Sequence, residues 1–263
     1  MNVHSQFFEK TPPIDGIDLE KVLTRRERKQ MRKSKGRSNP RQMDIKEGYK
    51  PLVAKTDTQA DYLDSLETAS QIFAIGPAGT GKTYIPARVA ARKLKQNEIE
   101  KIYVSRPTVS HKRHQQGFLP GKLEQKLAPW LVPLLDAMKD EVNTKTLDDW
   151  MNTKKVEFLS FEHLRGRTLR NCFVILDEAQ NCTFGDLKLF LTRKGEDSIY
   201  VVTGDIDQVD VESLGLESGL EPIVAMIEEY DLSPDLIFFT EDECVRSEDA
   251  KEWLHAFSRA SQG

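Results

Sequence analysis

From residue 51 onward, short apolar runs alternate with longer stretches whose apolar positions recur at helical spacing. The runs at 71–75, 101–105, 156–160, 172–176, 198–203 and 235–240 are bounded by polar and turn-forming residues and read as strands. The stretches 57–66, 83–96, 184–194, 217–230 and 248–260 read as amphipathic helices between them. Continuously apolar strands separated by helices predict a parallel sheet covered on both faces, since such strands must be buried on both sides. Pro129 and Pro133 fall inside the helical stretch 122–142, which predicts two pieces or a kink there.

Residues 1–50 have a different texture. They hold few aliphatic residues and cannot bury enough apolar surface to offset their ordering entropy. They predict a flexible arm ahead of a folded domain at 51–263, with at most a short basic helix near 17–33. The net charge of −4 in 263 residues hides a strong asymmetry. Between Lys21 and Gln42 there are ten basic residues and one acid, and between Asp205 and Glu252 sixteen acids and two bases. A basic block of this kind either holds polyanions or stays solvated.

No apolar run approaches the ~20 residues that cross a bilayer. Met1 to Gln6 carries no basic region leading into an apolar one, so a cytoplasmic protein is expected rather than a secreted or membrane one. Cys172, Cys182 and Cys244 are widely spaced, which fits small apolar packing residues better than disulfides or a zinc site.

The chemistry concentrates at three strand ends. Gly76-Pro77-Ala78-Gly79-Thr80-Gly81-Lys82-Thr83 follows an apolar strand and opens a helix. That is the context of a phosphate loop, whose inward N–H groups and helix N-terminus surround a β-phosphate. Lys82 would bridge the β- and γ-phosphates of ATP, and the Thr83 hydroxyl would ligate Mg2+. Phe173-Val174-Ile175-Leu176-Asp177-Glu178 delivers two carboxylates to the end of a buried strand. Asp177 would hold Mg2+ through water, and Glu178 would orient the attacking water, which favours hydrolysis over kinase chemistry. Tyr200-Val201-Val202-Thr203-Gly204-Asp205, with Gln208 beyond, would bring polar groups to the same edge.

These motifs, in order, resemble those of the PhoH-like ATPases, P-loop proteins similar to the first ATPase domain of superfamily 1 helicases. The resemblance covers about residues 52–257. It rests on 76–84, Arg106-Pro107, 117–121, 165–169, 175–181, 190–193 and 203–208. It implies a RecA-like P-loop fold, ATP and Mg2+ as ligands, ATP hydrolysis, and a link to RNA or single-stranded DNA. It further implies a homo-oligomer, a hexamer by family likeness. By position, Gln59 resembles the helicase glutamine that reads the adenine edge, and Tyr84 falls within the phosphate-loop motif. Gln180 and Gln208 resemble couplers to the nucleic-acid surface. Arg246 resembles the arginine that reaches a γ-phosphate, the alternative being a surface ion pair among many acids.

The chain departs from the family pattern at 110–116, where Ser-His-Lys-Arg-His-Gln-Gln replaces the more usual Gly-Glu-containing loop. His111 and His114 there lack an evident third ligand and read as solvated loop residues. Pro86, near the end of the first turn of the 83–96 helix, is a second departure and a possible kink. Arg106, Arg165 and Arg167 either reach phosphates or a neighbouring subunit, or pair with carboxylates of the acidic third. The expected function is therefore Mg2+-dependent ATP hydrolysis coupled to a nucleic acid. The alternative is a nucleic-acid-binding module in which ATP is a switch with negligible turnover.

Overall fold

The computed structural model describes residues 50–107, 123–209, 216–250, 252, 253 and 256. The basic arm, the 110–116 loop with His111 and His114, the 117–121 motif and residues 257–260 lie outside the described residues. Six strands form one sheet: β1 (Gln71–Ile75), β2 (Lys101–Ser105), β3 (Val156–Phe158), β4 (Cys172–Leu176), β5 (Ile199–Gly204) and β6 (Asp235–Phe238). Their order is β3-β2-β4-β5-β1-β6 and every pairing is parallel, as the unbroken apolar runs predict.

Alternate residues of each strand feed two separate cores. Ile72, Ala74, Phe173 and Ile175 face a layer made by α1 (Asp57–Thr68), α2 (Tyr84–Lys95), α3 (Leu123–Lys139) and α4 (Thr144–Asn152). Phe73, Ile75, Val174 and Leu176 face α5 (Phe161–Leu164), α6 (Phe184–Leu191) and α7 (Leu220–Glu229). The result is a three-layer α/β P-loop fold. Register then sets the functional edge. Ile75 stands beside Gly204, and Leu176 beside Ser105 and Val202. The residues that follow β1, β2, β4 and β5 therefore emerge together, with β5 inserted between the phosphate-loop strand and the acid-bearing strand.

Several elements differ from the pattern-based reading. Of the two outcomes expected at Pro129 and Pro133, two pieces or a kink, the first does not occur: α3 runs as one helix through both prolines. Leu131, Leu134 and Met138 recur along one buried face, so packing against the core holds a helix that local propensity would interrupt. α4 has only Leu147 and Trp150 as buried anchors, too few to signal a helix from periodicity. It is set instead by Asn143, whose side chain accepts the Thr146 N–H at 2.8 Å. α6 stops at Leu191, where the Thr192 hydroxyl donates to the Lys188 carbonyl. Pro86 sits in the first turn of a continuous α2. The Lys82 carbonyl that an amide at position 86 would have addressed accepts the Tyr62 hydroxyl at 3.0 Å. At the far end, residues 248–250, 252, 253 and 256 are helical. Among the described residues, no helix is long and apolar enough to cross a membrane.

Candidate phosphate-loop site

The loop between β1 and α2 lines a cleft of about 470 Å3 at the carboxyl edge of the sheet. Gly79 carries φ +84°, in the left-handed region open to glycine. A Cβ there would stand 2.8 Å from Cys244 Sγ and 2.9 Å from Arg246 Nε. The Gly79 carbonyl accepts the Val245 N–H at 2.9 Å, so the 244–246 segment is fastened against the phosphate loop. Arg246 is thereby an exposed residue that lines the cleft, and no ion pair is found for it among the described residues.

Gln59 is buried, and both ends of its amide are engaged. Nε2 donates to the Thr80 carbonyl at 2.8 Å, and Oε1 accepts the Lys55 N–H at 2.9 Å. The side chain thus ties the start of α1 to the loop while lining the cleft. Thr80 is fully buried and donates to the Pro77 carbonyl. Leu52 and Val53 supply an apolar wall that the motifs did not indicate. Tyr84 lies at the rim, 41% exposed, with its hydroxyl donating to Asp140 at 2.6 Å.

The acids are organised around Asp177, which is buried at the end of β4. Its Oδ1 accepts both the Thr83 hydroxyl at 2.7 Å and the Thr203 hydroxyl at 2.8 Å. The first of these contacts spans 94 residues of chain and joins the phosphate loop to the acid strand. Thr203 was not singled out from sequence as a partner of Asp177. The signal was a polar residue in the otherwise apolar run Tyr-Val-Val-Thr. Arg106 spans the outer side of the acid pair, with one guanidinium nitrogen 3.3 Å from Asp177 Oδ2 and another 3.4 Å from Glu178 Oε1.

Glu178 adopts φ +55°, left-handed for a residue with a Cβ. Its second oxygen accepts Gln180 Nε2 at 2.6 Å, and Gln180 Oε1 accepts the Asp205 N–H at 3.1 Å. Gln180 is buried and so links the ends of β4 and β5. Gln208 is exposed on the loop beyond β5, its N–H donating to the Asp205 carbonyl, and it does not line the cleft. Arg165 is exposed, and Arg167 donates to the Tyr103 hydroxyl and lies 3.8 Å from Glu157. Among the described residues, the partners found for Arg106 and Arg167 are thus not in the acidic third.

Lys82 Nζ donates to the Pro77 carbonyl at 2.7 Å. Burial lowers its pKa; the carboxylates of Asp205, Glu178 and Asp177 pull it back up, and Arg246 adds to the lowering. Asp205 is pushed the other way, above the ordinary carboxylate range, chiefly by burial. All three cysteines are buried and free, and burial raises the Cys172 thiol to about 12, so it stays a protonated packing group. Among the described residues, no cluster of three or more His, Cys, Asp or Glu side chains forms a metal cage. Oxygen donors for a cation at this edge are the Thr83 hydroxyl and the Asp177 carboxylate, hard ligands that suit Mg2+ when phosphate oxygens and water complete the shell.

Comparison with known proteins agrees with this architecture. A family model described as PhoH-like protein matches residues 51–258. Protein PhoH of Escherichia coli (strain K12) is 39% identical over 210 residues, covering 79% of this chain and 58% of that protein. The PhoH-like proteins of Mycobacterium leprae (strain TN) and Bacillus subtilis (strain 168) are 41% and 40% identical over 182 residues each. Both alignments cover 69% of this chain, and 52% and 56% of the respective relatives. The chain thus spans a little over half the length of the curated relatives it matches. With the family match running through the sheet and all three strand-end motifs, the chain belongs to the PhoH-like family.

Proposed function

We propose that this chain binds ATP with Mg2+ and hydrolyses it, and that hydrolysis is coupled to RNA or single-stranded DNA. The observation that carries the reading is the 2.7 Å hydrogen bond from Thr83 to Asp177, with Glu178 adjacent. It puts a hydroxyl, a carboxylate and a second acid beside one phosphate loop. Thr83 and Asp177 would hold Mg2+, which when bound neutralises charge on the β- and γ-phosphates. Lys82 exchanges its Pro77 carbonyl for phosphate oxygens and bridges them. Glu178 positions the attacking water and takes its proton. Arg246 reaches the γ-phosphate from the segment fastened to Gly79, Gln59 and Tyr84 border the base end of the cleft, and Gln208 and Gln180 relay phosphate state outward.

Steady-state ATP hydrolysis, with and without single-stranded RNA or DNA, tests this. Lys82→Ala abolishes nucleotide-dependent activity; unchanged turnover would remove the phosphate-loop assignment. Glu178→Gln keeps ATP binding yet slows hydrolysis by about two orders of magnitude or more, since charge stabilisation survives while water activation goes. Wild-type turnover in that variant would place the base elsewhere.

The second reading, ATP as a switch with negligible turnover, is favoured by one observation. Both carboxylate oxygens of Glu178 are already engaged, by Gln180 and Arg106. Turnover near zero in the wild type, with nucleotide-dependent nucleic-acid binding intact, would select it. A motor of the superfamily 1 type uses two ATPase domains, and this chain's sheet supplies one. Movement along a strand would therefore need a second such domain, which a neighbouring subunit of a cytoplasmic homo-hexamer would supply and sedimentation of the ATP-bound protein would detect.

A further inference from the structure

Arg106 occupies a position that neither the phosphate loop nor the acid strand explains. It directly follows β2, and because Ser105 is in register with Leu176, Arg106 and Asp177 leave the sheet side by side. The Asp177 N–H donates to the Ser105 carbonyl at 2.9 Å, which fixes that juxtaposition in backbone. Two adjacent carboxylates at a sheet edge repel each other unless a cation lies between them. The left-handed backbone of Glu178 accompanies an acid pair that both meet one guanidinium, at 3.3 and 3.4 Å. Asp177 Oδ1 is committed to Thr83 and Thr203, and Arg106 takes the other oxygen.

The pair is built to be weak. Its contacts are long, and the Arg106 side chain is 30% exposed, whereas Arg88, which meets Glu141 at 2.8 Å through Nε, is 3% exposed. We propose that Arg106 is a placeholder cation: it neutralises Asp177 and Glu178 until a divalent metal joins Thr83 and Asp177. Like-charge repulsion then turns it to the terminal phosphate in the cleft that it lines. This rests on the ATPase reading and adds to it a competition between an arginine and the metal, and a second cation for the γ-phosphate.

The competition has a signature separate from turnover. Manganese affinity is measured by electron paramagnetic resonance on the full chain, first with ADP and then with the β,γ-imido analogue of ATP. With ADP there is no terminal phosphate to receive the displaced arginine, so Arg106→Gln binds manganese about two- to fivefold more tightly than wild type, the scale of a partly exposed ion pair. With the triphosphate analogue that advantage disappears or reverses. Arg106→Lys keeps the charge and stays nearer wild type than Gln does. Equal manganese affinity in wild type and Arg106→Gln with both nucleotides would overturn the proposal. So would weaker manganese binding by Arg106→Gln with ADP, which would make Arg106 a scaffold for the acids, or a Lys variant that matches Gln. A wild type that takes up neither ADP nor manganese would instead overturn the ATPase reading itself.

Discussion

At the scale of single residues, the edge is a set of charges balanced by burial. Asp205 illustrates how that balance can be read out. It is buried, it accepts the Asp207 N–H on its side chain, and Lys82 attracts its charged form. Burial nevertheless outweighs those partners and raises its pKa. A carboxyl raised on folding binds its proton more tightly in the native chain than in the unfolded one. Ionising it therefore costs native stability, and that cost appears as pH rises from the ordinary carboxylate range through the raised value. Asp205→Asn has no proton to lose and keeps an acceptor for Asp207. Its melting temperature relative to wild type should rise as pH is taken from about 4 to 8, the span bracketing an ordinary and a raised carboxyl. A difference that stays flat or falls over that range would mean that the attraction to Lys82 outweighs burial. The same residue-scale logic limits what sequence can reveal. Asp177 and Glu178 were legible because two acids end an apolar run. The Thr203 and Arg106 contacts were not, because they depend on which strands lie beside β4 and in what register.

At the scale of elements, α2 carries the phosphate loop and is held by one buried arginine. Arg88 donates to Glu141, to the Tyr84 hydroxyl and to the carbonyls of Asp140 and Lys50, joining α2 to the end of α3 and to the chain entering the domain. Its ion pair joins a buried guanidinium to a Glu141 side chain that is 13% exposed, so truncation leaves a largely covered carboxylate without its partner and a void beside it. Arg88→Ala should lower unfolding free energy by about 3 kcal/mol, measured as a shift in urea midpoint at constant slope. A loss below about 1 kcal/mol would mean that water replaces the guanidinium without penalty. Nothing in the sequence marked Arg88, since an arginine on an amphipathic helix ordinarily faces solvent. The strands were legible to within a few residues because a parallel strand buried on both faces must be apolar throughout. Helix ends were less so. α6 ends on a threonine hydroxyl, and α4 begins on an asparagine cap with two buried anchors. At Pro129 and Pro133 the balance runs the other way: local rules allow two pieces or a kink, and contacts made by Leu131, Leu134 and Met138 keep the helix in one piece.

At the scale of the whole molecule, charge is sorted along the chain. Residues 21–42 carry a net +9, from ten bases and one acid, while residues 205–252 carry −14, from sixteen acids and two bases. An acidic surface repels a phosphodiester backbone, so a coupled nucleic acid must be met by another part of the chain, and the block at 21–42 is the densest source of positive charge. Binding through such a block releases counterions, and affinity for a single strand falls with salt at a log–log slope of roughly 0.7 per phosphate contacted. Deleting residues 21–42 should therefore weaken binding to a single-stranded oligonucleotide and flatten that slope, measured by fluorescence anisotropy across a salt series. ATP hydrolysis without nucleic acid should be unchanged, because the phosphate loop, the acids and Arg106 all lie beyond residue 50. Glu178→Gln should have the reverse profile, with oligonucleotide binding and slope intact and hydrolysis lost. Equal affinity and equal slope in the deleted and full chains would remove the block from the interface. The contact would then fall to basic residues of the folded domain, where Arg165 is exposed and therefore the next to replace.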